Sequence, residues 1–267
     1  MAFLKPEQIA EKTVESGVSK TKLPLAAKWI LGFLGGAFIS LGFLLDIRVI
    51  ADLPEEWGSF ASLLGGAVFP VGLILVVLAG AELVTGNIMS VSMAWYAKKI
   101  PLKAVGANWL LILLANFAGA LFVAFFFGHV VGLTETGPYL EKTVSMAGAK
   151  LDESFLQTFV SAIGCNWLVC LAIWLAAGSD DMGGKILGIW FPIMAFVAIG
   201  FQHVVANMFL IPAAIFAGHY SWLEYLGNFL PTLLGNMIGG SLFVGMAYYI
   251  AYFKKDVKRS VASKKVS

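Results

Sequence analysis

The chain has 267 residues, of which 59% are hydrophobic and 13% charged, with 29 glycines and a formal charge of +2. Soluble domains carry about a quarter charged residues, so the composition excludes an ordinary soluble domain and places the chain in a bilayer. The two cysteines, Cys165 and Cys170, share one apolar run, which excludes a disulfide framework and any cysteine-based metal spacing.

Residues 1–25 carry Lys5, Lys12, Lys20, Lys22 and three glutamates. They lack the apolar core and small-residue cleavage site of a signal peptide, and are expected to form an amphipathic cytoplasmic arm. Apolar windows of about 20 residues, enough to cross roughly 30 Å of hydrocarbon as helix, then recur. They fall near 26–45, 60–80, 104–131, 155–177, 186–216 and 228–253. The expected fold is an all-α integral membrane domain over 26–253, with repeats at about 26–131 and 153–253, followed by a basic cytoplasmic tail over 254–267.

The first span places Gly32, Gly35, Gly36 and Gly42 at spacings that let helices approach closely. Glycines in spans one, three and six are compatible with tight packing between subunits as well. The loop from Asp46 to Trp57 is acidic and holds Pro54, as an outer interfacial turn does. The second unit runs from Ser59 past Ala94, too long for one straight crossing. Its centre, Gly80-Ala81-Glu82-Leu83-Val84-Thr85-Gly86-Asn87, predicts a break at membrane depth. Non-helical backbone is tolerated there only where protein buries it or water lines it.

Span three contains Asn108, Asn116 and Gly119 and ends near His129; an outer loop with Pro138 and Lys150 follows, over 132–152. Span four contains Ser161, Cys165, Asn166 and Cys170, and residues 178–184 form a turn. The fifth unit carries Gly200 to Pro212, where His203 and Asn207 sit in an otherwise apolar stretch. An ionisable group at that depth is costly and marks a functional site by default, and Pro212 tends to interrupt a helix. The sixth span holds Asn228, Pro231, Asn236, Gly239 and Gly240.

Lys and Arg set orientation. With both termini on one side, that side collects all but Arg48, Lys142 and Lys150 of the 18 basic residues. The expected location is a plasma (inner) membrane, crossed several times, with both termini cytoplasmic. The basic tail reads as a lipid-surface anchor rather than a nucleic-acid site.

The chain also repeats. Residue n set against n + 120 pairs Gly80 with Gly200, Glu82 with Gln202, Leu83 with His203, Asn87 with Asn207, Asn108 with Asn228, Asn116 with Asn236 and Gly119 with Gly239. Phe69-Pro70 recurs as Phe191-Pro192, two residues out of register. Three spans per copy means that the second copy enters the membrane inverted. Inverted repeats with interrupted helices in matching positions point to a midplane transport site.

Three motifs then carry a resemblance: Leu83-Val84-Thr85-Gly86-Asn87, Cys165-Asn166-Trp167-Leu168-Val169-Cys170-Leu171-Ala172, and Gln202-His203-Val204-Val205-Ala206-Asn207-Met208. In this order, over about residues 5–255, the chain resembles the formate/nitrite transporter family. The resemblance implies a homopentamer with an aquaporin-like pore in each subunit, conducting formate, nitrite or hydrosulfide. It implies a pore histidine at His203, a loop threonine at Thr85, a span-four asparagine at Asn166 and an outer-vestibule lysine at Lys150. It implies apolar constriction positions at Leu83, Phe69, Leu73 and Phe196. Val84, beside Leu83, departs from the phenylalanine common in formate channels.

Plainer roles stand beside these. Thr85 also fits a helix cap, Asn166 a helix-joining hydrogen bond, and Lys150 a solvated loop charge. Glu82, Asn87 and Asn207 are expected to structure the broken loops, Glu82 through backbone donors or a partner such as Lys103. A water or neutral-solute channel of the same architecture would carry Asn-Pro-Ala at both half-helix starts, which Thr85-Gly86-Asn87 and Ala206-Asn207-Met208 do not supply. Three scattered histidines provide neither a haem pair nor a metal cluster, so an enzyme, a cofactor and a metal site are not expected.

Overall fold

A computed structural model describes residues 3–254; the basic tail beyond Lys254 lies outside the described residues. The helices in chain order are α1 (Pro6–Lys22), α2 (Leu25–Ile50), α3 (Ser59–Val68), α4 (Val71–Ile74), α5 (Val84–Tyr96) and α6 (Leu102–Phe122). They continue as α7 (Pro138–Leu151), α8 (Phe155–Ala177), α9 (Met182–Ile199), α10 (Val204–Phe216) and α11 (Trp222–Ile238).

Six helical stretches are long and apolar enough to cross a membrane: Leu25–Ile50, Ser59–Gly80, Leu102–Val130, Phe155–Ala177, Met182–Ile199 and Trp222–Phe253. The second and third end in wider π-helical turns, at Leu75–Gly80 and Val123–Val130, and the sixth contains such turns at Gly239–Met246 and Tyr249–Phe253. The half-helices α5 and α10 follow the second and fifth spans after short breaks.

The duplication reads directly from the packing. In one copy α2 lies along α6, and in the other α8 lies along α11; α1 covers α5 as α7 covers α10. The glycines of spans one and three serve this packing within the chain. A Cβ at Gly36 would collide with the Asn116 carbonyl, and one at Gly35 with the Glu82 carbonyl. Gly235 and Gly239 meet the backbone of α8 at Phe159 and Ile163 in the same way.

Three expectations are corrected. The stretch at 132–152 is helical over Pro138–Leu151, with Pro138 in the first turn and Thr143, Ala147 and Gly148 buried. Its mix of charged and apolar residues hid a short interfacial helix equivalent to α1. Pro212 does not interrupt the fifth unit: it lies inside α10, and the break falls earlier, at Gly200. The turn after α8 is also shorter than 178–184, because Asp181 Oδ2 accepts from Gly184 N at 2.8 Å and α9 starts at Met182.

The Phe-Pro pair lands differently in the two copies. Pro70 separates α3 from α4 and Phe69 is buried, whereas Pro192 is carried inside α9 and Phe191 is exposed. Phe196, four residues after Pro192, is the buried aromatic ring opposite Phe69, with centroids 5.6 Å apart and planes at 85°.

Candidate permeation site

Both breaks are built alike. Gly80 and Gly200 have φ of +88°, a left-handed conformation that any Cβ would strain. The chain then extends, and the next helix is entered from Leu83 (φ −121°, ψ 124°) or His203 (φ −115°, ψ 118°). Backbone groups freed at membrane depth must find partners, and the asparagines of α6 and α11 supply them. Asn116 Oδ1 accepts from Val84 N at 2.9 Å, while its Nδ2 donates to Gly32 O at 2.7 Å and Glu82 O at 2.8 Å. Asn236 repeats the pattern, accepting from Val204 N at 2.9 Å and donating to Ala162 O at 2.8 Å and Gln202 O at 3.1 Å.

One turn on, Asn87 Nδ2 donates to Glu82 Oε2 at 2.7 Å and Asn108 Oδ1 at 3.1 Å. Its counterpart Asn207 Nδ2 donates to Gln202 Oε1 at 2.7 Å and Asn228 Oδ1 at 2.8 Å. Glu82 is buried, and its Oε1 accepts from Lys20 Nζ at 2.6 Å. The cation is therefore Lys20 of the arm, not Lys103, because α1 folds across α5 and carries Lys20 to the break.

The copies diverge where the breaks meet. The Leu83 side chain caps nothing, whereas His203 Nδ1 accepts from Ala206 N at 3.1 Å. A ring nitrogen that accepts from an amide carries no proton, so this bond assigns His203 as the neutral Nε2–H tautomer. His203 Nε2 then donates to Thr85 Oγ1 at 3.1 Å, joining the first turns of α5 and α10. Both residues are buried.

Two cavities flank this junction. One, of about 280 Å³, opens on the α1 side and is lined by Lys12, Lys20, Leu83, Asn87 and Ile173 among others. The other, of about 360 Å³, opens on the α7 side and is lined by Phe43, Asp46, Phe69, Lys150, Phe196 and His203 among others. Leu83 and His203, equivalent in sequence, thus line opposite cavities. Phe196 packs 5.7 Å from the His203 ring, and Phe43 packs 5.5 Å from Phe69 and 6.0 Å from Phe209. Phe43 had no distinguishing signal in the sequence, since a phenylalanine in an apolar span looks like any other.

The sequence-predicted residues separate into three groups. Leu83, Phe69, Phe196, His203, Lys150, Asn87 and Asn207 line one cavity or the other. Thr85 and Asn166 lie between, fully buried: Asn166 Nδ2 donates to Thr85 O at 3.2 Å and Asn236 O at 2.7 Å, so it bolts α8 to α5 and α11. Leu73 and Val84 are buried in the packed core and line neither cavity. Lys150 is half-buried at the end of α7, and its Nζ donates to Gly200 O at 2.6 Å and Phe201 O at 3.1 Å. Burial holds its ammonium below the ordinary lysine range, with Glu153 and Asp46 pulling it partly back.

A family profile described as formate/nitrite transporter matches residues 7–250. The chain belongs to the formate/nitrite transporter family. It is 65% identical over 255 residues to the formate channel BtFdhC of Bacillus thuringiensis, covering 96% of this chain and 98% of that one. Among solved structures, an FNT family ion channel superposes with a TM-score of 0.85 at 31% identity, over 91% of this chain and 98% of the other. A pentameric formate channel with formate bound superposes with a TM-score of 0.73 at 29% identity, over 86% and 98%. As a formate/nitrite transporter the protein is a multi-pass membrane protein. No group of three or more His, Cys, Asp or Glu side chains able to hold a metal occurs among the described residues.

Proposed function

We propose that the chain conducts small monovalent weak-acid anions, formate first and nitrite or hydrosulfide as further passengers, through a pore in each subunit of a homopentamer. The observation that carries this reading is the shared cavity of Lys150, His203, Phe69 and Phe196. An ammonium shares this space with an aromatic wall and with the His203 ring, whose Nε2–H is turned to Thr85. The 65% identical relative named as a formate channel supports formate, and the similar pentameric formate channel supports five copies. The bias of Lys and Arg supports cytoplasmic termini in a plasma membrane, which makes the α7 side the outer one.

The chemistry follows from charge. An anion in an apolar constriction loses its hydration without replacement, whereas the neutral acid does not carry that penalty. Lys150 draws the anion into the vestibule. The half-helix N-termini, with their partial positive charge, and His203 Nε2–H hold it against Thr85. There it takes a proton from a hydronium ion of the vestibule, leaving water behind, and passes between Phe69, Phe196 and Leu83 as the neutral acid. His203 itself orients rather than delivers: its Nδ1 is committed to Ala206 N, so an imidazolium forms only when the α10 cap opens.

Formate flux into proteoliposomes across pH 5–8 tests this. His203→Ala is expected to lower flux strongly at every pH while keeping the shape of the profile, which proton supply from the vestibule sets. Normal flux would sink the reading.

A further inference from the structure

The two copies hold their conserved geometry around different chemistry at one position. In the first, Glu82 accepts the Lys20 ammonium at 2.6 Å, so that cation is neutralised where it meets the break. In the second, the equivalent residue is Gln202. Its Oε1 accepts from Asn207 at 2.7 Å and Asn228 at 3.3 Å, and its Nε2 donates to the backbone carbonyl of Lys150 at 3.1 Å. An amide N–H₂ has no lone pair for an ammonium. The Lys150 side chain therefore turns to the break carbonyls of Gly200 and Phe201, beside the cavity that His203 lines. Asp46 and Glu153 line the same cavity, but neither makes an ion pair with Lys150.

We propose that Gln202 determines the polarity of the pathway: as an amide it leaves Lys150 without an ion pair at the α7-side vestibule, where Asp46 and Glu153 act on it only at longer range, while on the α1 side Glu82 pairs with Lys20 and Asp180 with Lys12. Anions are thereby captured more strongly from the α7 side than from the α1 side. This rests on the reading of Lys150 as the vestibule cation. A carboxylate at 202 would recapture Lys150 in a pair of the Lys20–Glu82 kind and make the two vestibules alike.

The test is the half-saturating formate concentration for entry from each side, in vesicles of known orientation, at equal amounts of assembled protein. Q202E is expected to raise the α7-side value roughly fivefold or more, as one added unit charge a few ångströms away does at a dielectric between protein and water. Q202M also loses the amide hydrogen bonds but adds no charge; it is expected to lower maximal flux and leave half-saturation within about twofold. If Q202M raises half-saturation as much as Q202E, the role is structural and the inference is overturned. If Q202E has no effect while Lys150→Ala weakens capture, the inference fails and the vestibule reading stands. If Lys150→Ala also has no effect, both fail. Should Q202E not assemble, E82Q decides: it is expected to lower half-saturation from the α1 side, and an unchanged value overturns the proposal.

Discussion

Replacing Asn236 by alanine removes the acceptor of Val204 N and the donor to Gln202 O, two groups that no regular helix bond serves. Each orphaned buried backbone group costs about 1–3 kcal/mol, so the substitution costs about 2–6 kcal/mol. At roughly 2–4 °C per kcal/mol for a chain of this size, the unfolding midpoint in detergent falls by about 10 °C. Asn116→Ala removes the matching bonds to Val84 and Glu82 and is expected to cost the same. The two alanine variants part in transport, because Asn236 steadies the break that bears His203 and Asn116 the one that bears Leu83. Thermal shift with size-exclusion monitoring, followed by pH-graded formate flux, reads both effects. A midpoint within about 2 °C of the parent protein, below what one orphaned group costs by the same scaling, would refute the account of how the breaks are held.

Three further outcomes are expected. Lys20→Met leaves Glu82 buried without its cation, at a cost of about 3–5 kcal/mol, and adding Glu82→Gln restores most of the lost thermal stability. Because burial holds Lys150 below the ordinary lysine range, the unfolded chain binds a proton that the folded one has released at alkaline pH. Stability then rises with pH across that interval, while anion capture from the α7 side falls. Lys150→Arg, which stays charged throughout, removes the alkaline rise in the half-saturating concentration for entry from the α7 side, while maximal flux still falls with pH. Phe69→Ala removes a ring that packs on both Phe43 and Phe196, and larger acids such as lactate are expected to enter, read as lactate flux against formate flux.

Spans, inversion and the two breaks were legible because hydrophobic length and a 120-residue recurrence are properties of the string itself. Asn116 and Asn236, or Asn87 and Asn207, stood out as amides repeated in apolar surroundings, and their hydrogen bonds explain the repetition. What escaped depended on tertiary approach. The Lys20–Glu82 pair spans 62 positions and exists only because α1 folds back over α5. Helix α7 was hidden by a composition that reads as loop until Gly148 is seen against Tyr220. Phe43 and Phe209 belong to the aromatic cluster around Phe69 with nothing in their neighbourhood to mark them. Leu73 and Val84 match motif positions and lie in the packed core rather than on the wall of either cavity.

The arm is packed onto the membrane helices rather than standing apart from them. Ile9, Ala10 and Val14 of α1 are buried against Met89, Met93, Cys170 and Trp174, and that adhesion is what delivers Lys20 to Glu82. A chain trimmed to its six spans would keep every membrane crossing and still contain a carboxylate facing an apolar interior with no counter-ion. Any tether, tag or partner that peels the arm away would therefore alter the charge at the first break from outside the membrane.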